Sequence, residues 1–420
     1  MDKILIEGQQ PLSGEVRVSG AKNAALPLMA TSILSGGPLI LENMPDLRDL
    51  STMGRLLKHM GGRVEMENNR AEIDMSALCA PEAPYELVKT MRASALVLGP
   101  LLAKYGQARV SLPGGCAIGA RPIDFHLKAL ESMGAVIDLE GGYVVARAPE
   151  GGLRGAHLHF DTVTVTGTEN LMMAAVLARG STVITGAARE PEVTDTALAL
   201  KAMGAKIYGL GTDELIIDGV TDLGPATHKV MPDRIEAGTL IIAVALAGGR
   251  VKIMGAPHEA LDSVYDKILE SGVRLTIEGG DLQVSAETGE IISTDITTRP
   301  HPGFPTDMQA QFMALMTLGD GVSLITETIF ENRFMHVSEL GRLGADITLD
   351  GRKAMVKGVR RLSGAPMMAT DLRASASLIL AALAARGQSE ISRVYHLDRG
   401  YDKLDQKLTA LGARISRVKA

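Results

Sequence analysis

The stretch Leu112-Pro113-Gly114-Gly115-Cys116-Ala117-Ile118-Gly119-Ala120-Arg121-Pro122 gathers three glycines, one thiol and one guanidinium in eleven residues. Glycines let a backbone bend sharply and approach a ligand closely, as a closing loop must. A cysteine in an exposed loop beside an arginine has a lowered thiol pKa and raised reactivity. The alternative is a free cysteine that packs as a small hydrophobe. Cys79, set among alanine and proline, fits that alternative. Lys22 and Asn23, in Ser19-Gly20-Ala21-Lys22-Asn23-Ala24-Ala25, stand at the start of an apolar helix. A helix N-terminus attracts anions and a lysine there adds to the attraction. The plainer alternative is an Asn near a helix start beside a solvated Lys. Asp307, in Pro305-Thr306-Asp307-Met308-Gln309, also opens an apolar helix. It is either an N-cap or a base facing a cleft. Arg333 and Arg399 fall in equivalent loops, and arginine suits paired recognition of phosphate or carboxylate. Surface ion pairs are the alternative for each.

Other chemistries lack their residues. No Gly-rich loop ends in Gly-Lys-Ser/Thr, which weakens an ATP-dependent function. The nine histidines show no metal-ligand spacing: His157 and His159 lie two apart on a strand-like stretch without a carboxylate set. No catalytic metal and no cofactor are expected.

These residues need elements to hold them, and the chain supplies one phrase six times. An apolar helical run ends in Gly, followed by a small residue, a charged or polar one and a β-branched one. Examples are Met60-Gly61-Gly62-Arg63-Val64, Met203-Gly204-Ala205-Lys206-Ile207 and Leu411-Gly412-Ala413-Arg414-Ile415. The marker glycines 61, 134, 204, 272, 344 and 412 are 73, 70, 68, 72 and 68 residues apart. Such a glycine ends a helix in the left-handed conformation before a strand. Each unit of about 70 residues opens with an apolar, Ala-rich helix: Ala24 to Leu34, Leu171 to Ala178, Leu240 to Ala247, and Ser375 to Ala385. A helix apolar all round is buried on every side. The second helix of each unit, as in Asp195 to Met203, is expected to be amphipathic and to face solvent. One unit alone could not bury its apolar helix, so two closed domains of three units each are expected. The polar loops before the second helices, such as Pro113 to Pro122 and Glu327 to His336, are the natural places for function.

Composition sets the outer limits. The chain has 420 residues, 46% hydrophobic and 22% charged, with a formal net charge of −6. The total is ordinary for a globular protein, and its sign disfavours a general nucleic-acid or anionic-membrane surface. Aromatic residues are 3% and Trp is absent, which argues against single-strand stacking platforms. Two cysteines suggest a reducing compartment. The start has no signal-peptide pattern, and the apolar stretches are too short to span a bilayer. A cytoplasmic protein is expected.

The motifs together resemble the enolpyruvyl transferases along the whole chain. They are Ser19 to Asn23, the Pro113-Gly114-Gly115-Cys116 loop with Arg121-Pro122, and Ala188-Arg189-Glu190-Pro191-Glu192. Further on come Gly303 to Gln309, Glu331-Asn332-Arg333-Phe334, Asp371-Leu372-Arg373 and Asp398-Arg399-Gly400-Tyr401. The resemblance implies an α/β fold of two inside-out barrel domains, each of three repeated units with apolar helices inside. It implies one discontinuous domain of residues 1–21 plus 231–420, and a second of residues 22–230 carrying the Cys116 loop. The active site would lie in the cleft between them. The implied reaction moves the enolpyruvyl group of phosphoenolpyruvate to the 3-hydroxyl of UDP-N-acetylglucosamine by addition and elimination, the first committed step of peptidoglycan precursor synthesis.

By matching position, Cys116 would protonate C3 and Asp307 would be the base. Lys22, Arg121 and Arg399 would hold the phosphoenolpyruvate anions, and Asn23 would support the tetrahedral intermediate. Arg92, Arg121, Pro122, Ile123, Asp124, Phe125, Asp307 and Ile329 would bind the sugar nucleotide. Arg333, Asp371 and Arg373 would support the site. Fosfomycin-type epoxides would alkylate Cys116. Arg48 and Thr162 stand where some members carry Lys. The rival acceptor is shikimate 3-phosphate, whose transferases start with a Ser-Lys-Ser type motif and lack the loop cysteine. A non-catalytic protein of the same fold is the rival of another class, and it has no need of Lys22, Cys116, Asp307 and Arg399 together.

Overall fold

The computed structural model describes residues 2–89, 91–112, 123–287 and 289–419, excepting the side chain of Arg92. The chain divides into two compact units, one of residues 1–19 with 232–420 and one drawn from residues 20–231. Each has its own hydrophobic core.

The six phrases become six four-stranded sheets, three in each unit, all with one pattern of pairing. In the first repeat, Leu39–Glu42 pairs antiparallel with Arg70–Asp74, which pairs antiparallel with Arg63–Glu67. A fourth strand, Ala226–Lys229, adds in parallel to Leu39–Glu42, with Ala226 opposite Leu39. It comes from the far end of the same unit and closes the ring of three repeats. In the other unit the N-terminal strand Asp2–Glu7 lies between Gln388–Ser392 and Arg414–Lys419. The next strand, Leu12–Arg17, is the parallel partner of Gly249–Met254. Parallel strands need a crossover connection, and in this crossover residues 20–231 precede the helix Arg234–Ala247.

All six marker glycines adopt positive φ, between 86° and 114°. A Cβ would be strained there, which explains why the residue recurs. The apolar helices form the interior. Every residue of Arg234–Ala247 is buried, as is every residue of Gln309–Met316. These two pack against each other and against Leu372–Ala384. In the other unit Leu98–Tyr105 and Lys22–Thr31 pack on Val165–Ala175. Helices inside and sheets outside make each unit an inside-out α/β fold.

The second helices do not all face solvent. Arg48–His59 alternates buried and exposed positions as expected. Pro191–Ala202 is buried at Glu192, Val193, Asp195, Thr196, Ala197, Ala199 and Leu200 and packs against Lys22–Thr31. Its small side chains let the helices come close, so it joins the core instead of capping it. Among the described residues no helix is long and apolar enough to cross a membrane.

Candidate active site

Lys22 is the first residue of the helix Lys22–Thr31, after Ala21, which offers no side-chain cap. The first-turn N–H groups of such a helix need acceptors, and an anion bound there would supply them. Lys22 is 9% exposed, and its Nζ lies 3.1 Å from Oδ2 of Asp49 in the first turn of Arg48–His59. Burying an ammonium is costly without a partner, and Asp49 is that partner. Asn23, next in the helix, is half-buried. Arg92 begins the short 3-10 helix Arg92–Val97. Ile123 is buried, Asp124 opens the helix Asp124–Ser132 from an exposed position, and Phe125 packs on the core. Cys116, Arg121 and Pro122 lie outside the described residues.

The Ala188-Arg189-Glu190-Pro191-Glu192 motif adjoins a buried acid. Burial, reinforced by Glu192 and Glu190, pushes the Glu169 carboxyl well above its usual range. Arg48 and Thr162 are both exposed.

The other unit gathers its polar residues around Asp307. Asp307 sits in the 3-10 turn Thr306–Met308 ahead of Gln309–Met316. Its Oδ1 accepts from Nη2 of Arg333 at 2.7 Å. Its Oδ2 accepts from Nε and Nη2 of Arg373 at 3.1 and 3.0 Å. This forked geometry fixes the carboxylate plane as well as its position. It is not the N-cap residue of the turn or of the helix that follows, which are Pro305 and Met308. Arg373 is 1% exposed and lies over the Tyr401 ring. Burial works against its charge, but Asp307, Tyr401 and Asp233 outweigh burial and raise its pKa. Arg333 also donates to Thr306 Oγ1 at 2.9 Å, and Thr306 donates to Glu327 at 2.7 Å. Glu327 in turn accepts from the Ile329 N–H at 2.7 Å, so the same carboxylate places Thr306 and the Ile329 backbone. Asp371 caps Leu372–Ala384 by accepting from the N–H groups of Arg373 and Ala374 at 2.8 and 3.0 Å. Arg399 ends the 3-10 helix Val394–Arg399 and is half-buried. Among the described residues no group of three or more His, Cys, Asp and Glu is placed to hold a metal.

In one unit Lys22 offers a cation at a helix start, and in the other Asp307 is held by two arginines; each is a group suited to anions or to charge that develops in a reaction. The family model of EPSP synthase (3-phosphoshikimate 1-carboxyvinyltransferase) matches residues 6–408. The chain belongs to the enolpyruvyl transferase family. It is therefore a transferase, acting on small-molecule substrates as the family does. This enolpyruvyl transferase is 59% identical, over the full length of both chains, to the UDP-N-acetylglucosamine 1-carboxyvinyltransferase of Anaeromyxobacter sp. (strain K). Its structure matches the enolpyruvyl transferase NikO from Streptomyces tendae with a TM-score of 0.90 and 27% identity, covering 100% of this chain and 99% of that one. It shares its fold with EPSP synthase from Acinetobacter baumannii, at a TM-score of 0.76 and 18% identity over the whole of both chains.

Sequence reasoning missed several members of these networks. Asp49 lies 27 residues from Lys22 inside an amphipathic helix, with no local mark. In the sequence Glu327 marks only the edge of a polar loop. His336 and His396 carried no motif. His336 is 1% exposed and preceded by Arg333 within one turn. Burial lowers its pKa to about 4, with Asp371 opposing and Arg333 adding to the shift. Burial also lowers the pKa of His396, helped by Arg399 and opposed by Asp371. Asp371 and Arg373 are marked in the sequence by the resemblance alone, and the structure makes them an N-cap followed by an inward arginine.

Proposed function

We propose that this transferase moves the enolpyruvyl group of phosphoenolpyruvate onto the 3-hydroxyl of UDP-N-acetylglucosamine and releases phosphate. The observation that carries this reading is the 59% identity, end to end, with a protein named for that reaction. The acceptor hydroxyl attacks C2 of phosphoenolpyruvate while C3 takes a proton. The resulting tetrahedral intermediate then loses phosphate and a C3 proton, restoring the double bond. Cys116 serves as the acid–base residue at C3, and Asp307 takes the hydroxyl proton. Lys22, Arg121 and Arg399 hold the phosphate and carboxylate, and Asn23 supports the intermediate. Arg92, the residues from Arg121 to Phe125, and Ile329 bind the sugar nucleotide. The paired Lys22–Asp49 and the doubly held Asp307 support these roles. The reaction opens peptidoglycan precursor synthesis and takes place in the cytoplasm.

Phosphate release from phosphoenolpyruvate, followed with UDP-N-acetylglucosamine and with shikimate 3-phosphate, tests the proposal. Turnover with the sugar nucleotide alone is expected. Turnover with shikimate 3-phosphate in its place would overturn it, and no turnover with either would favour a non-catalytic protein. Cys116→Ser should lower turnover by about 100-fold or more, the scale of a lost general acid. Iodoacetamide should label Cys116 before Cys79, as mass spectrometry of the labelled peptides will read.

A further inference from the structure

We infer that Asn170 is a positioning residue for the sugar-nucleotide acceptor; the inference rests on the acceptor assignment above. Asn170 is fully buried on the interior helix Val165–Ala175. Its Oδ1 accepts from the Gly99 N–H at 2.7 Å. A backbone N–H can only donate, so that end of the amide must be oxygen. Nδ2 therefore faces the other way. It donates to the Ala95 carbonyl at 3.3 Å and to Nδ1 of His126 at 3.0 Å. A neutral imidazole that accepts at Nδ1 carries its proton on Nε2.

One amide thus ties three segments together. Ala95 belongs to the turn Arg92–Val97, Gly99 to the first turn of Leu98–Tyr105, and His126 to the first turn of Asp124–Ser132. The approach at Gly99 is close. A Cβ there would lie 2.3 Å from the Asn170 carbonyl oxygen and 2.5 Å from its Oδ1. His126 is 4% exposed, so its ring has little water to turn to in place of the amide.

Two of these segments begin with residues assigned to the acceptor. Arg92 stands three positions before Ala95, and Ile123, Asp124 and Phe125 lead directly into His126. A buried apolar side chain would fill the same space without choosing an orientation. The amide has three bonded partners, each of which fixes a backbone or ring position. It sets the separation of the Arg92 turn from the Ile123–Phe125 stretch before the acceptor arrives. Such preorganisation acts on acceptor binding, and small displacements of positioning segments cost activity steeply.

The test uses the full-length enzyme and steady-state phosphate release. Asn170→Asp keeps the acceptor for Gly99 but turns an oxygen towards the Ala95 carbonyl. The KM for UDP-N-acetylglucosamine should rise about tenfold or more, while that for phosphoenolpyruvate stays within about twofold. An equal rise in both, or an unchanged acceptor KM, would overturn the inference. Wild-type turnover with UDP-N-acetylglucosamine in the same assay reports on the acceptor assignment itself, independently of the variant-to-wild-type ratio. If Asn170→Asp does not fold, the His126 side of the same bond decides. His126→Leu, which removes the acceptor atom, should raise the acceptor KM selectively, and His126→Gln, which restores one, should recover it. Identical constants for Leu and Gln would end the proposal.

Discussion

Lys22 and Asp307 do not work as isolated side chains. Lys22 is buried and aligned by Asp49, so its ammonium cannot swing freely to meet an anion. Removing the charge of Asp49 weakens that alignment. A hydrogen bond to a charged group is worth about 1.5–3 kcal/mol, which corresponds to about tenfold or more in an equilibrium constant. Asp49→Asn should therefore raise the KM for phosphoenolpyruvate about tenfold while leaving the acceptor KM nearly unchanged. Initial-rate measurements with each substrate varied will check it. A rise confined to the acceptor would contradict the pairing.

At the scale of elements, the residues proposed for the site stand at the N-terminal ends of interior helices. Lys22 starts one, Asp307 precedes a second, and Asp371 caps a third. The cap and the site are linked, because Arg373, whose N–H is capped by Asp371, reaches Asp307 with its side chain. Asp371→Ala removes two backbone acceptors and should cost about 1 kcal/mol of stability. It should also lower turnover, because the first turn no longer holds Arg373 in place. Asp371→Asn caps equally well, so its urea midpoint should match the wild type. Urea midpoints and turnover measured on both variants separate the cap from the charge.

For the molecule as a whole, two buried groups pull the pH dependence of stability in opposite directions. Burial lowers the His336 pKa from 6.5 to about 4. Between those values the unfolded chain binds a proton that the folded chain does not, so stability is lost as pH falls through the window. Burial raises the Glu236 pKa from 4.5 to about 7, although Lys407 pulls it back down. Between those values the folded chain holds the extra proton, so stability is lost as pH rises. Glu236→Gln should therefore gain on the wild type as pH climbs from about 5 to about 8, and His336→Gln should flatten the loss below about 6.5. Denaturation midpoints across that range will show it. A Glu236→Gln difference that stays constant with pH would contradict the assignment.

Periodicity and glycine placement alone determined the six repeats and the interior helices. A helix apolar on all sides has nowhere to go but inside, and a residue needed at positive φ must recur wherever the turn recurs. Lys22 and Asp307 were legible as well, because they sit at helix starts that the apolar runs after them mark, whereas Asp371 is marked by the resemblance alone. Tertiary structure decided the rest. One sheet takes its fourth strand by ring closure, since Ala226–Lys229 is brought to Leu39–Glu42 from the far end of the unit, and no local pattern encodes a partner 187 residues away. Pro191–Ala202 entered the core because its small residues met a neighbouring helix. Asp49, Glu327 and Asn170 acquired their roles only when separate segments met, since a hydrogen bond depends on distance in space and leaves no trace in spacing along the chain.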